Sequence, residues 1–347
     1  MKSQTKMDIE TKKEVFALFQ TGAGRGDTTS MANLGASYRE GLGVAQDYIK
    51  AREWFEKAAA NDDASAMFNL GWLYVNGQGV TQDYAKAREW YEKAAAKGDA
   101  RAMFNLGALY ANGQGVTQDY IKAREWYEKA ADKGDASAMV NLGMLYHNGQ
   151  GVAQDYAKAR EWYEKAADKG DASAMLNLGA LYADGQGVAQ DYAKAREWYE
   201  KAADKGDARA KAKLEQLSIS EAFGAGRYGE ALRLQEALVV KVEAAERERE
   251  GKPGEETAQA LNSVAWYALF AREFTKALTV ADRAHALLPD DIEFEINRAH
   301  ALMFLGRGED CKALYLLPTK ASPSLGRMVS YGSASSLRTS RNSARRA

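Results

Sequence analysis

A block of 36 residues recurs along this chain almost unchanged. Four close copies share the patterns Asn-Leu-Gly-x-Leu-Tyr, Gly-Gln-Gly-Val and Ala-Arg-Glu-Trp-Tyr, and they begin at Asn69, Asn105, Asn141 and Asn177. A looser copy begins at Asn33. Self-similarity at a fixed period of this size is typical of solenoids, in which each unit buries its apolar face against its neighbours. A residue that recurs in every copy is therefore poorly suited to a catalytic role.

The spacing of apolar residues in one copy, residues 65–100, predicts two helices. The first helix is expected to bury a stripe formed by Ala66, Leu70, Leu73 and Tyr74. The second is expected to turn inward a broader stripe of Tyr84, Ala87, Trp90, Tyr91 and Ala94. Trp126 and Trp162 are counterparts of Trp90, so we expect them in the core. Gly71 lies in the middle of the first helix, which predicts that the two helices approach closest there, beneath the Trp and Tyr rings.

Short polar residues and glycines mark the ends of these helices. Asp63 and Asp83 stand where an N-cap is needed, because their carboxylates can accept hydrogen bonds from unpaired backbone N–H groups. Gly77 stands where the first helix should end in a left-handed residue. The chain is thus expected to be all-α, a solenoid of antiparallel helix pairs.

Composition excludes several classes of site. The net charge is −1, but residues 319–347 contribute +6 and the remainder −7, so the body lacks the basic footprint of a nucleic-acid-binding protein. Cys311 is the single cysteine, which rules out an internal disulfide and a cysteine-rich metal site. The three histidines, His147, His285 and His300, lie far apart, and no spacing typical of a metal, cofactor or catalytic triad emerges.

The N-terminal residues lack the apolar core of a secretory signal. No apolar run approaches the ~20 residues that a membrane-spanning helix needs. We therefore expect a cytoplasmic protein without a membrane span, or an exported protein if the true start lies upstream.

The repeats resemble the Sel1-like repeat. The motifs that carry the resemblance are Ala-Met-x-Asn-Leu-Gly-x-Leu-Tyr, Gly-x-Gly-Val and Ala-x-x-Trp-Tyr-x-Lys-Ala-Ala. The resemblance implies a right-handed α/α superhelix, related to tetratricopeptide repeats, that serves as an adaptor or scaffold in protein complexes. It covers five units, at residues 29–64, 65–100, 101–136, 137–172 and 173–208.

The flanking segments fit a continued solenoid. Residues 1–28 are expected to form a degenerate capping helix, with Val15, Leu18 and Phe19 in register with Ala51, Trp54 and Phe55. Residues 209–318 resemble tetratricopeptide units at the small, aromatic and terminating positions Ala265, Phe274, Ala277, Ala281, Ala284 and Pro289. Residues 319–347 have too few apolar side chains to order themselves, so we expect a disordered basic Ser/Arg tail. The opposite charges leave open that this tail docks on the acidic body.

Two short motifs suggest function but are better explained as turns. Gly77-Gln-Gly-Val80 is rich in glycine, yet a phosphate-binding loop needs a preceding strand and usually a following Lys-Ser/Thr. Arg25-Gly26-Asp27 spells a cell-adhesion tripeptide, but it stands in register with the Lys-Gly-Asp turns between repeats.

The face of each first helix opposite its core stripe is the expected carrier of function. In tetratricopeptide relatives that face lines a concave groove. Its positions differ most between the copies and gather apolar residues, which usually marks an interaction surface. Packing of these residues against adjacent first helices is the alternative. The candidate residues are Phe68, Trp72, Val75, Arg101, Phe104, Val140, Met144, His147 and Leu176. Phe68, Trp72 and Phe104 are expected to form one aromatic cluster.

A row of asparagines follows the edge of the same face. Each amide offers a donor and an acceptor, so Asn69, Asn105, Asn141 and Asn177, together with Asn33, could hold an extended peptide backbone. A structural bond between neighbouring helices is an equal alternative.

The sequence therefore favours a non-catalytic, monomeric scaffold that binds a segment of a partner protein. Binding of a small molecule or of a cell-wall glycan in the groove is the alternative from another functional class.

Overall fold

The computed structural model describes residues 9–289 and 291–316, so the expected tail at 319–347 lies outside the described residues. Seventeen α-helices and no strand occur in this part of the chain. The chain divides into two compact units, residues 1–211 and 212–347. The all-α architecture expected from the sequence is confirmed.

Five helix pairs make up most of the first unit. The first helices, here called A helices, are α2 (Thr28–Glu40), α4 (Ala64–Asn76), α6 (Ala100–Asn112), α8 (Ala136–Asn148) and α10 (Ala172–Asp184). The second helices, here called B helices, are α3 (Tyr48–Ala60), α5 (Tyr84–Ala96), α7 (Tyr120–Asp132), α9 (Tyr156–Asp168) and α11 (Tyr192–Asp204). Each A helix packs on the B helix of its own pair, and the B helices α3, α5, α7 and α9 also pack on the next A helix.

A preceding helix, α1 (Ile9–Gly24), packs on α2, where the rings of Phe16 and Tyr38 meet edge to face at 5.4 Å. Leu18 on this helix is 69% exposed, unlike the half-buried Trp54 with which it aligns. The Arg-Gly-Asp sequence after α1 is a helix cap, because the Asp27 carboxylate accepts a 2.7 Å hydrogen bond from the backbone N–H of Ser30. These contacts are those of a turn between helices.

The ends of the paired helices follow the sequence signals closely. All ten begin after an aspartate whose carboxylate accepts a hydrogen bond from a first-turn N–H. Asp63 and Asp83 have this role, as predicted. Gly77 ends α4 at a φ of 65°, a left-handed conformation that favours glycine. Local chemistry thus defines where each helix starts and stops.

The glycine-rich turn between A and B helices has a packing role. Gly79 has a φ of 68°, and a Cβ atom there would lie 2.6 Å from the carbonyl oxygen of Tyr48 in the previous repeat. The turn is closed by Gln82, whose Nε2 donates a 2.7 Å hydrogen bond to the carbonyl of Val75. The turn therefore brings its backbone against the preceding B helix, which explains its glycines without a phosphate ligand.

Small and large residues interlock in the core of each pair. Ala66, Leu70 and Leu73 of α4 are fully buried, and a Cβ atom on Gly71 would lie 2.6 Å from the ring of Tyr91. The expected close approach at this glycine is confirmed for the tyrosine ring. Tyr91 is 1% exposed, so it is the principal aromatic core residue of α5.

The tryptophans of the B helices lie at the edge of the core, which corrects the sequence-based expectation. Trp126 and Trp162 are half-buried, as is Tyr84. The ammonium of Lys129 lies 4.1 Å from the ring centroid of Trp126, and Lys165 lies 4.0 Å from that of Trp162. A charged, hydrated group over a ring requires that the ring face reach solvent. The adjacent tyrosine occupies the core because its ring packs against the glycine of the A helix.

The second unit contains longer helices. They are α12 (Ala208–Gly224), which includes the boundary between the units, α13 (Tyr228–Glu250), α14 (Glu255–Phe270), α15 (Phe274–Leu287), α16 (Ile292–Phe304) and α17 (Gly308–Leu316). The small positions aligned with tetratricopeptide units are buried, as Ala265, Ala277, Ala281, Ala284 and Ala299 show. Most of the Glu/Arg-rich segment at 243–256 continues α13, which leaves only residues 251–254 as a connection.

Candidate protein-binding face

The candidate residues occupy the side of the A helices away from the core stripe, here called the A face. It consists of the positions equivalent to 65, 68, 72, 75 and 76 in each repeat. Phe68, Trp72 and Val75 are half-buried, in contrast to Leu70 and Leu73 beside them in sequence, which are fully buried. The helical spacing therefore separated Leu70 and Leu73 from the A face, but Tyr74, which was expected in the core stripe, is half-buried.

Phe68 is held between two repeats. Its ring lies 5.7 Å from the ring of Tyr91 in its own repeat, and the guanidinium carbon of Arg101 from the next repeat lies 4.3 Å from its centroid. A guanidinium over an aromatic face is attracted by the ring quadrupole. Phe68 is thus a positioned ring with a cationic cover.

Arg101 is fixed by a fork of hydrogen bonds. Its NH2 nitrogen donates to Oδ2 of Asp99 at 2.6 Å and to Oγ of Ser65 at 3.2 Å. The same arrangement recurs at Arg209, which donates to Asp207 at 2.6 Å and to Ser173 at 3.0 Å. The hydrogen bond from Arg209 holds the pKa of the Asp207 carboxyl below its ordinary value. Both arginines are exposed, so one face of each guanidinium remains available to a ligand.

Trp72 is paired with an arginine that the sequence analysis did not single out. The guanidinium carbon of Arg39 lies 5.3 Å from the Trp72 ring centroid, and its nitrogens donate to the Oδ1 of Asn69 and, at 2.5 Å, to a carboxylate oxygen of Glu40. Arg39 occupies the same repeat position as Val75 and His147. A comparison of the copies at this position would therefore have identified it.

The three rings do not form one cluster, which corrects the expectation. Phe104 pairs with Tyr127 of its own repeat at 5.7 Å, as Phe68 does with Tyr91. Among the described residues, no ring contact joins Phe68, Trp72 and Phe104 to one another. The A face thus presents separate ring sites in the second and third repeats rather than a single aromatic patch.

The fourth and fifth repeats differ in exposure. Met144 is 44% exposed and Val140 is half-buried, so both are accessible to a ligand. Leu176, which occupies the same position as Phe68, is only 7% exposed. Its assignment to the interaction surface is wrong, because its side chain belongs to the core.

His147 links two repeats through polar contacts. Its Nε2 lies 3.1 Å from Oε1 of Gln186, and its ring meets that of Tyr156 at 5.1 Å. Partial burial lowers the pKa of His147 below its ordinary value, since the charged imidazolium would lose hydration there. The neutral form is therefore favoured at pH 7.

The asparagine row is at least partly structural. Asn69 is 9% exposed; its Nδ2 donates to the carbonyl of Ser65 at 2.9 Å, and its Oδ1 accepts from Arg39. Asn105 hydrogen-bonds to the hydroxyl of Tyr91. These two amides are used within the fold, which favours the structural alternative for them. For Asn141 and Asn177, both half-buried, peptide binding stays a prediction.

Two small cavities occur at the turns between A and B helices. One of about 260 Å³ is lined by Arg52, Tyr74 and Lys86, and one of about 300 Å³ by their equivalents in the next repeat. These volumes lie at or below the lower limit for ligand pockets. Within residues 9–289 and 291–316, no group of three or more His, Cys, Asp or Glu side chains could hold a metal ion. In the same residues, no helix combines the length and apolarity needed to cross a membrane.

Comparisons with known proteins agree with this architecture. The Sel1 repeat family model matches residues 28–63, 64–99, 100–135, 136–171 and 172–207, which is more than half of the chain. No curated protein sequence matches significantly.

Three solved structures illustrate the similarity. A Sel1 repeat protein from Oxalobacter formigenes is 35% identical, with 61% of this chain and 90% of that chain covered and a TM-score of 0.55. A protective antigen of uropathogenic Escherichia coli with an SLR fold is 27% identical over 89% of this chain and 76% of its own, with a TM-score of 0.64. The C-terminal part of a TPR repeat-containing protein from Cytophaga hutchinsonii shares the fold. It is 17% identical, with 78% of this chain and 98% of that chain covered and a TM-score of 0.50. The chain belongs to the Sel1 repeat family, whose members generally act as protein-interaction scaffolds.

Proposed function

We propose that this protein is a non-catalytic scaffold that binds an extended segment of a partner protein along the A face of its Sel1 repeats. The observation that carries the proposal is the contrast between two positions of the A helices. The core leucines Leu70, Leu106, Leu142 and Leu178 are identical and fully buried. Two positions after each of them, the A face reads Trp72, Ala108, Met144 and Ala180.

This contrast favours recognition of a partner rather than a purely structural role. The core leucines stay fixed because a change there would disturb packing, whereas the accessible positions beside them can change without loss of the fold. Variation at accessible positions allows each repeat to contact a different side chain of one long ligand. Trp, Phe, Met and Arg, which occupy these positions, are the residue types enriched at protein interfaces.

The chemistry of the face also indicates the kind of segment. Phe68 lies beside Arg101, which is ion-paired with Asp99. Trp72 lies beside Arg39, which is ion-paired with Glu40. An apolar or aromatic side chain of the ligand could stack on the guanidinium or on the exposed ring edge, and the paired charges limit the cost of desolvation. We therefore expect a segment with spaced apolar anchors.

Substitutions already present in other copies provide a test. The triple variant Trp72→Ala, Val75→Ala and Met144→Ala introduces residues that other repeats carry at the same positions, such as Ala108 and Ala111. The fold should tolerate it, while removal of the anchors should lower partner affinity at least tenfold, since buried anchors typically contribute more than 1 kcal/mol each.

A matched control is offered by the B helices. Ile49 and Ile121 are 56% and 54% exposed, and the other repeats have alanine there, at 85, 157 and 193. Affinity purification followed by mass spectrometry should recover the same partners with wild type and with the Ile49→Ala, Ile121→Ala variant. The A-face variant should lose them at unchanged helix content by circular dichroism. Retention of every partner by the folded A-face variant would contradict the proposal.

A further inference from the structure

The second unit carries an exposed apolar surface, formed by residues outside the Sel1 repeats. Its five residues, here called the α14–α16 patch, are between 40% and 59% exposed. They are Trp266, Phe270, Ile296, Met303 and Phe304. Apolar side chains of this size rarely cluster in water without a partner. The patch therefore requires a different explanation from the half-buried rings of the A face.

Contacts within the unit place these residues on adjacent helices. Nδ2 of Asn297 on α16 donates a 2.7 Å hydrogen bond to Oδ1 of Asn262 on α14. The ring of Phe304 stacks on that of Phe274, the first residue of α15, at 4.8 Å. The hydrogen bond joins the middles of α14 and α16, and the ring contact joins the end of α16 to the start of α15, which follows α14 after a short turn. The exposed residues of α14 and α16 therefore form one surface.

Contacts with other aromatic rings restrict the motion of Phe270 in the patch. Phe270 contacts Trp266 at 4.9 Å, Phe223 at 5.0 Å and Tyr228 at 5.6 Å. Rings fixed by such edge and tilted contacts lose little further freedom when a ligand covers them, which favours binding.

The two helices that carry the patch have more acidic than basic residues. Helix α14 has Glu255 and Glu256 in its first turn and no Lys or Arg anywhere. The single basic residue of α16, Arg298, is already paired with Asp282 and Glu295. Residues 212–316 as a whole contain 13 Lys and Arg against 18 Asp and Glu, a net charge of −5. A ligand that fits this surface should combine apolar anchors with positive charge.

We propose that the C-terminal segment of the same chain, residues 317–347, docks on the α14–α16 patch through the apolar run Leu325–Tyr331. That run, Leu-Gly-Arg-Met-Val-Ser-Tyr, supplies four apolar anchors, and residues 319–347 carry +6 with no acidic residue. The segment thus matches the patch in both apolar character and charge. This inference is independent of the function proposed for the A face.

The proposed docking needs only a short tether, because the last described helix packs on α16. Helix α17 packs on α16, with Cys311 in one buried cluster with Ala299 and Leu302, and it ends at Leu316. Leu325 is nine residues farther along, a reach of up to about 30 Å for an extended chain. Helix α16 has 13 residues and is therefore about 20 Å long. All of the patch on α16 is within reach, at the millimolar effective concentration that a short tether provides.

Hydrogen–deuterium exchange of the full chain tests the proposal. Exchange in residues 262–270 and 296–304 should be about fivefold slower in the full chain than in a chain that ends at Pro318. If exchange requires undocking, this factor means that the segment is docked about four-fifths of the time. The protection should weaken in 1 M salt, because the charge attraction is screened. It should not change with protein concentration. Equal exchange in the two chains would overturn the proposal, and protection that grows with concentration would assign the patch to a second copy instead.

Two variants with the same charge change separate apolar docking from simple attraction. Met328→Asp with Val329→Asp removes two anchors and should abolish the protection. Ser333→Asp with Ser335→Asp lowers the charge equally but leaves Leu325–Tyr331 intact, so most of the protection should remain. Loss of protection in both variants to the same extent would show that charge alone holds the segment, contrary to the docking proposed.

Discussion

A glycine in the middle of each A helix is explained by one aromatic ring on the B helix, which is Phe55 in the first repeat and a tyrosine in the other four. A Cβ atom at Gly107 would lie 2.5 Å from Cε1 of Tyr127, so no larger residue fits without moving the ring. Glycine in a helix interior costs about 1 kcal/mol relative to alanine. Burial of an aromatic ring contributes more than this, so the pair of residues stabilises the repeat.

Truncation of Tyr127 should therefore cost more stability than truncation of its neighbour Trp126. Tyr127→Ala removes a ring that is 4% exposed and should lower the free energy of unfolding by about 3–5 kcal/mol. Trp126→Ala removes a half-buried ring beside Lys129 and should cost only about 1–2 kcal/mol. Denaturant unfolding of the two single variants checks the order. A larger loss for Trp126→Ala would show that the tryptophan is the principal core residue after all.

Each helix of the repeats is capped by its own preceding aspartate, but α14 receives its cap from another helix. Glu246 on α13 is 1% exposed and accepts hydrogen bonds from the backbone N–H of Gly254 at 2.7 Å and of Thr257 at 3.1 Å, and from the Thr257 hydroxyl at 2.5 Å. These hydrogen bonds lower the pKa of Glu246 to about 2. One carboxylate thus fastens the short connection at 251–254 to the end of α13.

Substitution Glu246→Gln should lower the melting temperature of the second unit at neutral pH, because the amide replaces a charged acceptor. Since the pKa is lower in the folded state than in the unfolded chain, the carboxylate stabilises the fold above about pH 4, and this contribution is lost as the pH falls towards 2. The difference between wild type and variant should shrink over that range. Glu248→Gln on the exposed side of the same helix is the control. A difference that stays constant from pH 7 to pH 3 would contradict this role.

Across the whole molecule, the repeats place a row of neutral tyrosines in the core. Burial raises the pKa of Tyr127 and Tyr199 to about 12, and it raises those of Tyr91 and Tyr163 still further above the ordinary value. The first repeat has Phe55 at this position, fully buried. Ionisation of these phenols is therefore disfavoured in the folded state relative to the unfolded chain.

Alkaline unfolding should follow from this row. In the unfolded chain each phenol loses its proton near pH 10, whereas the folded state retains it. The free energy of unfolding should therefore fall as the pH rises above about 10, by up to about 1.4 kcal/mol per pH unit for each tyrosine. The double variant Tyr127→Phe, Tyr163→Phe should weaken this dependence, because phenylalanine, as at Phe55, cannot ionise. Urea unfolding at pH 8 and pH 11 measures the effect. An equal loss of stability in wild type and variant would place the alkaline sensitivity elsewhere.

Local interactions are what the sequence by itself determined. The aspartate caps, such as Asp63, and the left-handed glycines, such as Gly77, bond to backbone groups only a few residues away. They recur in every copy, and the period is visible in the sequence itself. The core stripe of Leu70 and Leu73 follows from helical spacing alone. For these reasons the fold class and the helix pairs were predictable without any structure.

The tertiary structure decided which of two adjacent side chains is covered and what the accessible ones touch. Trp126 and Tyr127 both fall within the inward stripe, and only packing against the A helix selects the tyrosine. Leu176 occupies the same repeat position as Phe68 yet is buried, because exposure at that position depends on neighbouring helices. The cover of Phe68 by Arg101 joins residues 33 positions apart, beyond any local pattern. Exposure and partner choice are properties of packed neighbours, and spacing along one helix does not contain them.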